Sequence, residues 1–196
     1  MAAVARPSVT PSFNRVEPGS QPLNLARFPP ANKSKPNDPS SIAKTWANAF
    51  NNSLESPESL SKLFLEESYW RDHLCLSWEF HTLNGPSTIE SFLKKASKDC
   101  RIKSIEVDDS TPFKAPKYSP VDSKGEVDGV SNFITIKTDV GEGVGTVSLA
   151  QEGGVWKAFT LFTTLRSLTG HEELSGPKRP TGVDQYANNV SCTRHV

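Results

Sequence analysis

The chain carries no net charge: 22 Lys and Arg balance 22 Asp and Glu over 196 residues. A neutral chain has no electrostatic footprint for nucleic acid or an anionic membrane, so neither is expected as a partner. No apolar run approaches the ~20 residues that span a bilayer. The N-terminus, MAAVARPSVTPSF, lacks the apolar core of a secretory signal. Cysteine is scarce. Cys75, Cys100 and Cys192 are an odd number at wide spacing, which favours neither a disulfide framework nor a zinc site. These absences describe a soluble protein of a reducing compartment, the cytoplasm. Hydrophobic residues make up 35% and charged residues 22%, enough for one domain with a modest core, plus tails.

Proline is what the first stretch has in quantity. Pro7, Pro11, Pro18, Pro22, Pro29, Pro30, Pro36 and Pro39 interrupt any helix there. Residues 1–40 therefore read as a loose arm. Within it, LNLARFPP (23–30) can lie on the domain through Leu23, Leu25 and Phe28.

Order is expected from Ser41, a helix cap, with Ile42, Trp46, Ala49 and Phe50 on one helical face. Ser56 and Pro57 open a short second helix that buries Leu60, Leu63 and Phe64. SYWRDHLCLSWEFHTL (68–83) alternates and is aromatic-rich, so it reads as strand, with a break near Ser77. Asn84-Gly85-Pro86 is a turn. Ser87 and Glu90 have the spacing of a capping box for a third helix with Ile89, Phe92, Leu93 and Ala96 inward. The period then becomes two. Strands are expected over 101–109, 131–140, 144–151 and 155–166, with a long polar loop at 110–128, a Gly-Glu-Gly hairpin turn at 141–143 and a Glu-Gly-Gly turn at 152–154. Helices that cluster early can cover one face of a sheet. The fold class is α+β, a cone-shaped, curved antiparallel sheet with about three helices over residues 41–168. Residues 169–196 read as linker and tail.

This order of elements resembles the nuclear transport factor two superfamily, which includes SnoaL-like polyketide cyclases and ketosteroid isomerases. YWRDHLCLSWEFHTLNGPSTIESFL and WKAFTLFTTLRSLTGHEELSGPKRPTGVD resemble more narrowly the N-terminal SnoaL-like domain of fungal FAD-dependent, flavin-containing monooxygenases. The resemblance covers about residues 23–184. It implies FAD and NADPH for the full-length enzyme, an FAD-domain partner following the linker, and no cofactor site in this module. The chain departs from it after Asp184 and ends QYANNVSCTRHV, which reads as a truncated product.

The resemblance also makes Asp72 the candidate general base. In cavity-bearing relatives a pocket carboxylate abstracts a proton next to a carbonyl, and desolvation suits it to that task. Arg71 precedes it on the opposite face by alternation, so a structural or solvated Asp72 stands beside the catalytic one. GEGVGT (141–146) is read as hairpin rather than phosphate loop, since its glycines alternate and a strand follows. His73 and His81 lie ~26 Å apart on an extended chain, too far to share a metal unless the strand folds back. His171 sits in the linker beside Glu172 and Glu173, at most a docking contact. Cys75 among Leu74, Leu76 and Trp78 reads as a buried, inert thiol. Cys100 has no visible His and acid arrangement.

Trp46, Tyr69, Trp70, Trp78, Phe80, Trp156 and Phe162 supply either core or the lining of a hydrophobic pocket. In the last strand Trp156, Ala158, Thr160 and Phe162 fall on one face, and Val155, Phe159, Leu161 and Leu165 on the other. Apolar residues on both faces ask for two covers. Helices supply one. The arm, a second sheet layer or a homodimer through the sheet supplies the other. Three functions stay open: an auxiliary module for substrate access or dimerisation, a cofactor-free cyclase or isomerase using Asp72, and a small-ligand-binding scaffold. The first is preferred.

Overall fold

Asp38, not Ser41, starts the first helix. In the computed structural model, which describes residues 27–33 and 35–171, the Asp38 carboxylate accepts from the amides of Ser40 and Ser41 at 3.0 and 3.1 Å. Pro39 then occupies the first helical position, where its missing N–H costs nothing. Helix α1 (Pro39–Asn52) buries Ala43, Trp46, Ala47 and Phe50. Helix α2 (Pro57–Ser61) is capped by Ser56. Helix α3 (Gly85–Ala96) buries Ile89, Phe92, Leu93 and Ala96. The expected capping box does not form, because α3 begins two residues before Ser87. Ser87 is then interior, where its carbonyl accepts from Ser91, and Glu90 pairs with Lys94 instead.

Seven strands form one curved, unclosed sheet: β1 (Phe64–His73), β2 (Phe80–Asn84), β3 (Ile102–Asp108), β4 (Lys117–Tyr118), β5 (Gly129–Thr138), β6 (Gly141–Glu152) and β7 (Val155–Leu168). Their order is β2-β1-β7-β6-β5-β3, with β4 on the β3 side of β5. The α+β class is as expected. The wholly antiparallel sheet is not, since β1 runs parallel to β7 and carries the β1–β2 hairpin onto the meander. The long loop at 110–128 contributes the two-residue β4, also unforeseen. At the β3 edge, Asn51 donates to the Ile105 carbonyl at 2.9 Å and accepts its amide at 2.8 Å. One α1 side chain thus satisfies backbone groups that an edge strand would otherwise expose.

The tight turn between β5 and β6 is Asp139-Val140, organised by the Thr138 hydroxyl, which takes the amides of Val140 and Gly141. The Gly-Glu-Gly triplet read as turn is therefore strand. A Cβ on Gly145 would sit 1.9 Å from the Phe162 carbonyl oxygen, and one on Gly141 would sit 2.2 Å from that of Ser167. These glycines let β6 press against β7. The next hairpin does use glycine for its backbone: Gly153 and Gly154 adopt φ of +58° and +84°.

Helix-facing residues build the main core, from Trp46, Phe50, Phe64 and Trp70 to Ile134, Leu149 and Leu161. A second cluster, Leu65, Val127, Ala150 and Phe159, lies on the other face. Residues 27–33 run over it. Phe28 packs against Phe159 at 5.8 Å, the Arg27 amide donates to the Tyr69 hydroxyl, and Asn32 bridges to Val127. Leu23 and Leu25 lie outside the described residues, as does the tail from Glu172.

Candidate functional site

Alternation along β1 sends Trp70 and Asp72 toward the helices and Tyr69, Arg71 and His73 away from them. Asp72 is 0% exposed. One carboxylate oxygen accepts from the Thr163 hydroxyl at 2.6 Å, and the other from the Leu76 amide at 3.1 Å. Thr163 itself accepts from the Trp70 indole at 2.9 Å. Burial pushes the Asp72 carboxyl above the ordinary aspartate range, and the bonds from Thr163 and Leu76 oppose that rise.

The Leu76 bond ties Asp72 to the segment 74–79, which turns back between β1 and β2. Leu74 there takes φ +63°, a left-handed backbone that a branched side chain rarely adopts. Cys75 and Leu76 are driven inward and buried. Burial and the Asp72 carboxylate beside it push the Cys75 thiol up to about 12, so it stays protonated. Its neighbour two residues back, Trp70, is packed among rings. Phe64 stacks on Trp70 at 5.9 Å, and Phe50 and Phe92 meet the same indole edge-on at 6.4 and 6.2 Å. A base needs an opening for substrate, and this carboxylate faces side chains and amides instead.

The aromatics expected to line one pocket are dispersed. Trp46 and Trp70 are core. Trp156 packs at the margin of that core. Trp78 and Phe80 are 73% and 70% exposed. Tyr69 and Phe162 belong to the outer face. Phe162 is there because of a bulge: Ser148 pairs with Thr160 but Leu149 with Ala158, so Phe159 is an extra residue in β7. Trp156, Ala158, Leu161 and Thr163 thereby face the helices, whereas Phe159, Thr160 and Phe162 face out. The strict alternation expected for that strand fails at this point.

His73 and His81 are not ~26 Å apart, because the chain folds back. They sit on paired strands, one step out of register and on opposite faces. His73 lies between Phe80 and Phe162 at 4.9 and 5.1 Å. His81 meets Ser77 at 2.8 Å and Phe92 at 4.7 Å. Among the described residues no group of three or more His, Cys, Asp or Glu is placed to hold a metal. No helix there is long and apolar enough to cross a membrane. Nor does GEGVGT fit FAD or NADPH, since it lies inside β6 and leads to another strand rather than a helix N-terminus.

A cleft of about 250 Å³ opens between the α1–α2 connection, α3 and β3. Leu54, Leu60, Leu76, Leu93 and Ile102 give it apolar walls, and Glu55 and Arg101 stand at its mouth. Sequence reading missed this place. Its residues come from four separated segments, and only a run such as KDCRIKS, with one Arg entering a strand, hinted at it. Thr163 was missed because FTLFTTLR reads as plain strand.

The sequence matches no protein-family model and no curated protein. Solved structures do resemble it. One is a domain of unknown function with a cystatin-like fold from Nostoc punctiforme, 15% identical over 65% of this chain and 76% of that one, TM-score 0.48. Another is a nuclear-transport-factor-two-like protein with a cystatin-like fold from Novosphingobium aromaticivorans, 11% identical over 64% and 80%, TM-score 0.43. A third is ActVI-ORFA from Streptomyces coelicolor, 11% identical over 64% and 95%, TM-score 0.45. These are likenesses of overall architecture and transfer no activity.

Proposed function

We propose that this chain is a non-catalytic module that pairs with a second copy of itself through the outer face of its sheet. In this reading it is the auxiliary N-terminal domain of a cytoplasmic flavin-containing monooxygenase, with the FAD and NADPH sites in the partner domain of that enzyme. The observation that carries the non-catalytic part is the sealed carboxylate: Asp72 is fully buried and committed to Thr163 and Leu76. The parentage rests on the sequence resemblance of the YWRD and WKAFTLF segments.

The outer face has the make-up of an interface between like copies. Its middle is nearly free of charge: Ser131, Phe133 and Thr135 on β5, Val144, Thr146 and Ser148 on β6, and Thr160, Phe162 and Thr164 on β7. Lys137 pairs with Glu106 and Arg166 with Glu142 at its margins, and one charge stands inside it: Arg71, beside Phe162 on β1, whose Nε donates to His73 at 2.9 Å. An aromatic ridge of Phe80, His73 and Phe162 adds exposed apolar area. A middle of hydroxyl side chains and a few apolar ones, nearly free of charge, can meet its own copy with little repulsion.

A cyclase or isomerase reading has one observation in its favour, the raised pKa of a buried acid. The full burial of Asp72 and its bonds to Thr163 and Leu76 oppose it.

Sedimentation and absorption test the proposal. The purified chain should be colourless and dimeric, and Phe162→Glu should turn it into a folded monomer. A monomeric parent chain removes the self-association, and a yellow protein with stoichiometric flavin removes the non-cofactor role.

A further inference from the structure

We propose that the cleft between α2, α3 and β3 binds a small apolar monocarboxylate, with its hydrocarbon in the pit and its carboxylate on Arg101. This site lies on the helix side of the molecule and does not rest on pairing through the sheet.

The pit sets the class of tail. Leu54, Pro57, Leu60, Leu76, Leu93 and Ile102 line its apolar side, and Ser97 and Cys100 bring polar atoms to the rest. No acid other than Glu55 is among the lining residues, and the Cys100 thiol there is held protonated by burial. A dry apolar cavity of ~150 Å³ takes a benzene molecule. At about 250 Å³ this pit scales to roughly ten non-hydrogen atoms. Leu76 and Cys100 also line a second cleft, of only about 80 Å³.

The mouth sets the class of head. Arg101 touches Glu55 through one nitrogen only: Nη2 donates to both carboxylate oxygens at 3.0 and 3.1 Å. Its Nη1 and Nε have no hydrogen-bond partner among the described residues, although a guanidinium is built to hold a carboxylate through two of its nitrogens. Glu55 is 86% exposed, and an exposed ion pair of this kind costs little to rearrange. A ligand carboxylate can therefore complete the guanidinium fork while Glu55 turns to water. The main-chain amide of Arg101 is already placed by Asp139, which fixes where the side chain departs from the fold.

Titration calorimetry of the full chain with sodium octanoate tests this, with octylamine and 1-octanol as head-group controls. Octanoate should bind saturably and both controls more weakly. Arg101→Gln should weaken octanoate about tenfold or more, the expected loss of a charge-assisted hydrogen bond. Arg101 is 59% exposed, so the variant keeps its fold, which circular dichroism verifies. Methyl NMR provides a second readout: shifts should gather on Leu54, Leu60, Leu93 and Ile102. No binding at millimolar octanoate, equal binding of octylamine, unchanged affinity in Arg101→Gln, or shifts on the outer sheet face would each overturn the assignment. A monomeric chain that still binds octanoate leaves this inference standing and removes only the pairing through the sheet.

Discussion

Asp72 shows how a residue's chemistry is decided by groups far from it in sequence. The pair Arg71-Asp72 could be split between two faces by alternation alone, and the structure does so. What its carboxylate does there depends on Thr163, 91 residues away, and on an amide in a loop no periodicity describes. Replacing it with Asn tests the structural role. Asn keeps one acceptor but turns an NH₂ toward Thr163 or Leu76, leaving a buried group wrongly paired. The cost should be about 1–3 kcal/mol at neutral pH, read from urea unfolding. The pH dependence has a definite sign. Burial raises the pKa in the folded chain, so the folded state holds the proton more tightly than the unfolded one. The stability Asp72 contributes is full below about pH 4 and declines as pH rises through the raised value. The advantage of the parent chain over Asp72→Asn should thus be larger near pH 4 than near pH 7. An advantage that grows with pH would mean that the hydrogen bonds outweigh burial.

Elements were more legible than their ends. Trp46 and Phe50, Ile89 and Phe92, and the alternation of β5 and β6 announced themselves by period. The errors came where a residue type serves two purposes. Ser41 and Ser87 are good caps, but Pro39 and Gly85 had already opened their helices. Gly141 and Gly143 look like a turn, yet with Gly145 they are needed where β6 lies hard against β7 and against Cys75. The bulge at Phe159 left no sequence mark and moved Phe162 to the other face. These glycines lead to a second prediction. A methyl at Gly145 has no room, because the obstacle is the Phe162 backbone oxygen rather than a mobile side chain. Gly145→Ala must push β6 off β7 beside Thr163, and overpacking of this sort costs about 1–3 kcal/mol. Thermal unfolding should show it, whereas Gly125→Ala, on an open loop at φ +66°, should lose only about 1 kcal/mol. Equal effects would mean that the strands relax apart without cost.

At the scale of the molecule, two faces of one sheet are closed by different means. The helices close one with a continuous core. The other is closed at one end only, where residues 27–33 and the segment around Val121 and Val127 lie on Phe159, Leu65 and Ala150. That division was partly readable, since Phe28 stands out as an apolar residue in a proline-rich stretch. The backbone bridge of Asn32 to Val127, which fixes the strap, was not. The strap is held by few contacts, so it is the part of the described structure expected to detach first. Asn32 adds a side-chain bond to the Gln151 carbonyl at 3.0 Å, and Phe28 covers Phe159 with a half-exposed ring. Truncating both, Phe28→Ala with Asn32→Ala, should cost about 1–3 kcal/mol in all, since one partial apolar contact and one hydrogen bond are lost. The distinctive expectation is local. Hydrogen exchange should speed up at Asn32 and Asp128, whose amides bond Glu126 and Asn32, while Ile134 and Leu161 in the main core stay protected. If exchange rises equally in both places, the strap is part of one cooperative unit, and the outer face is not free to open at one end while the helix side holds.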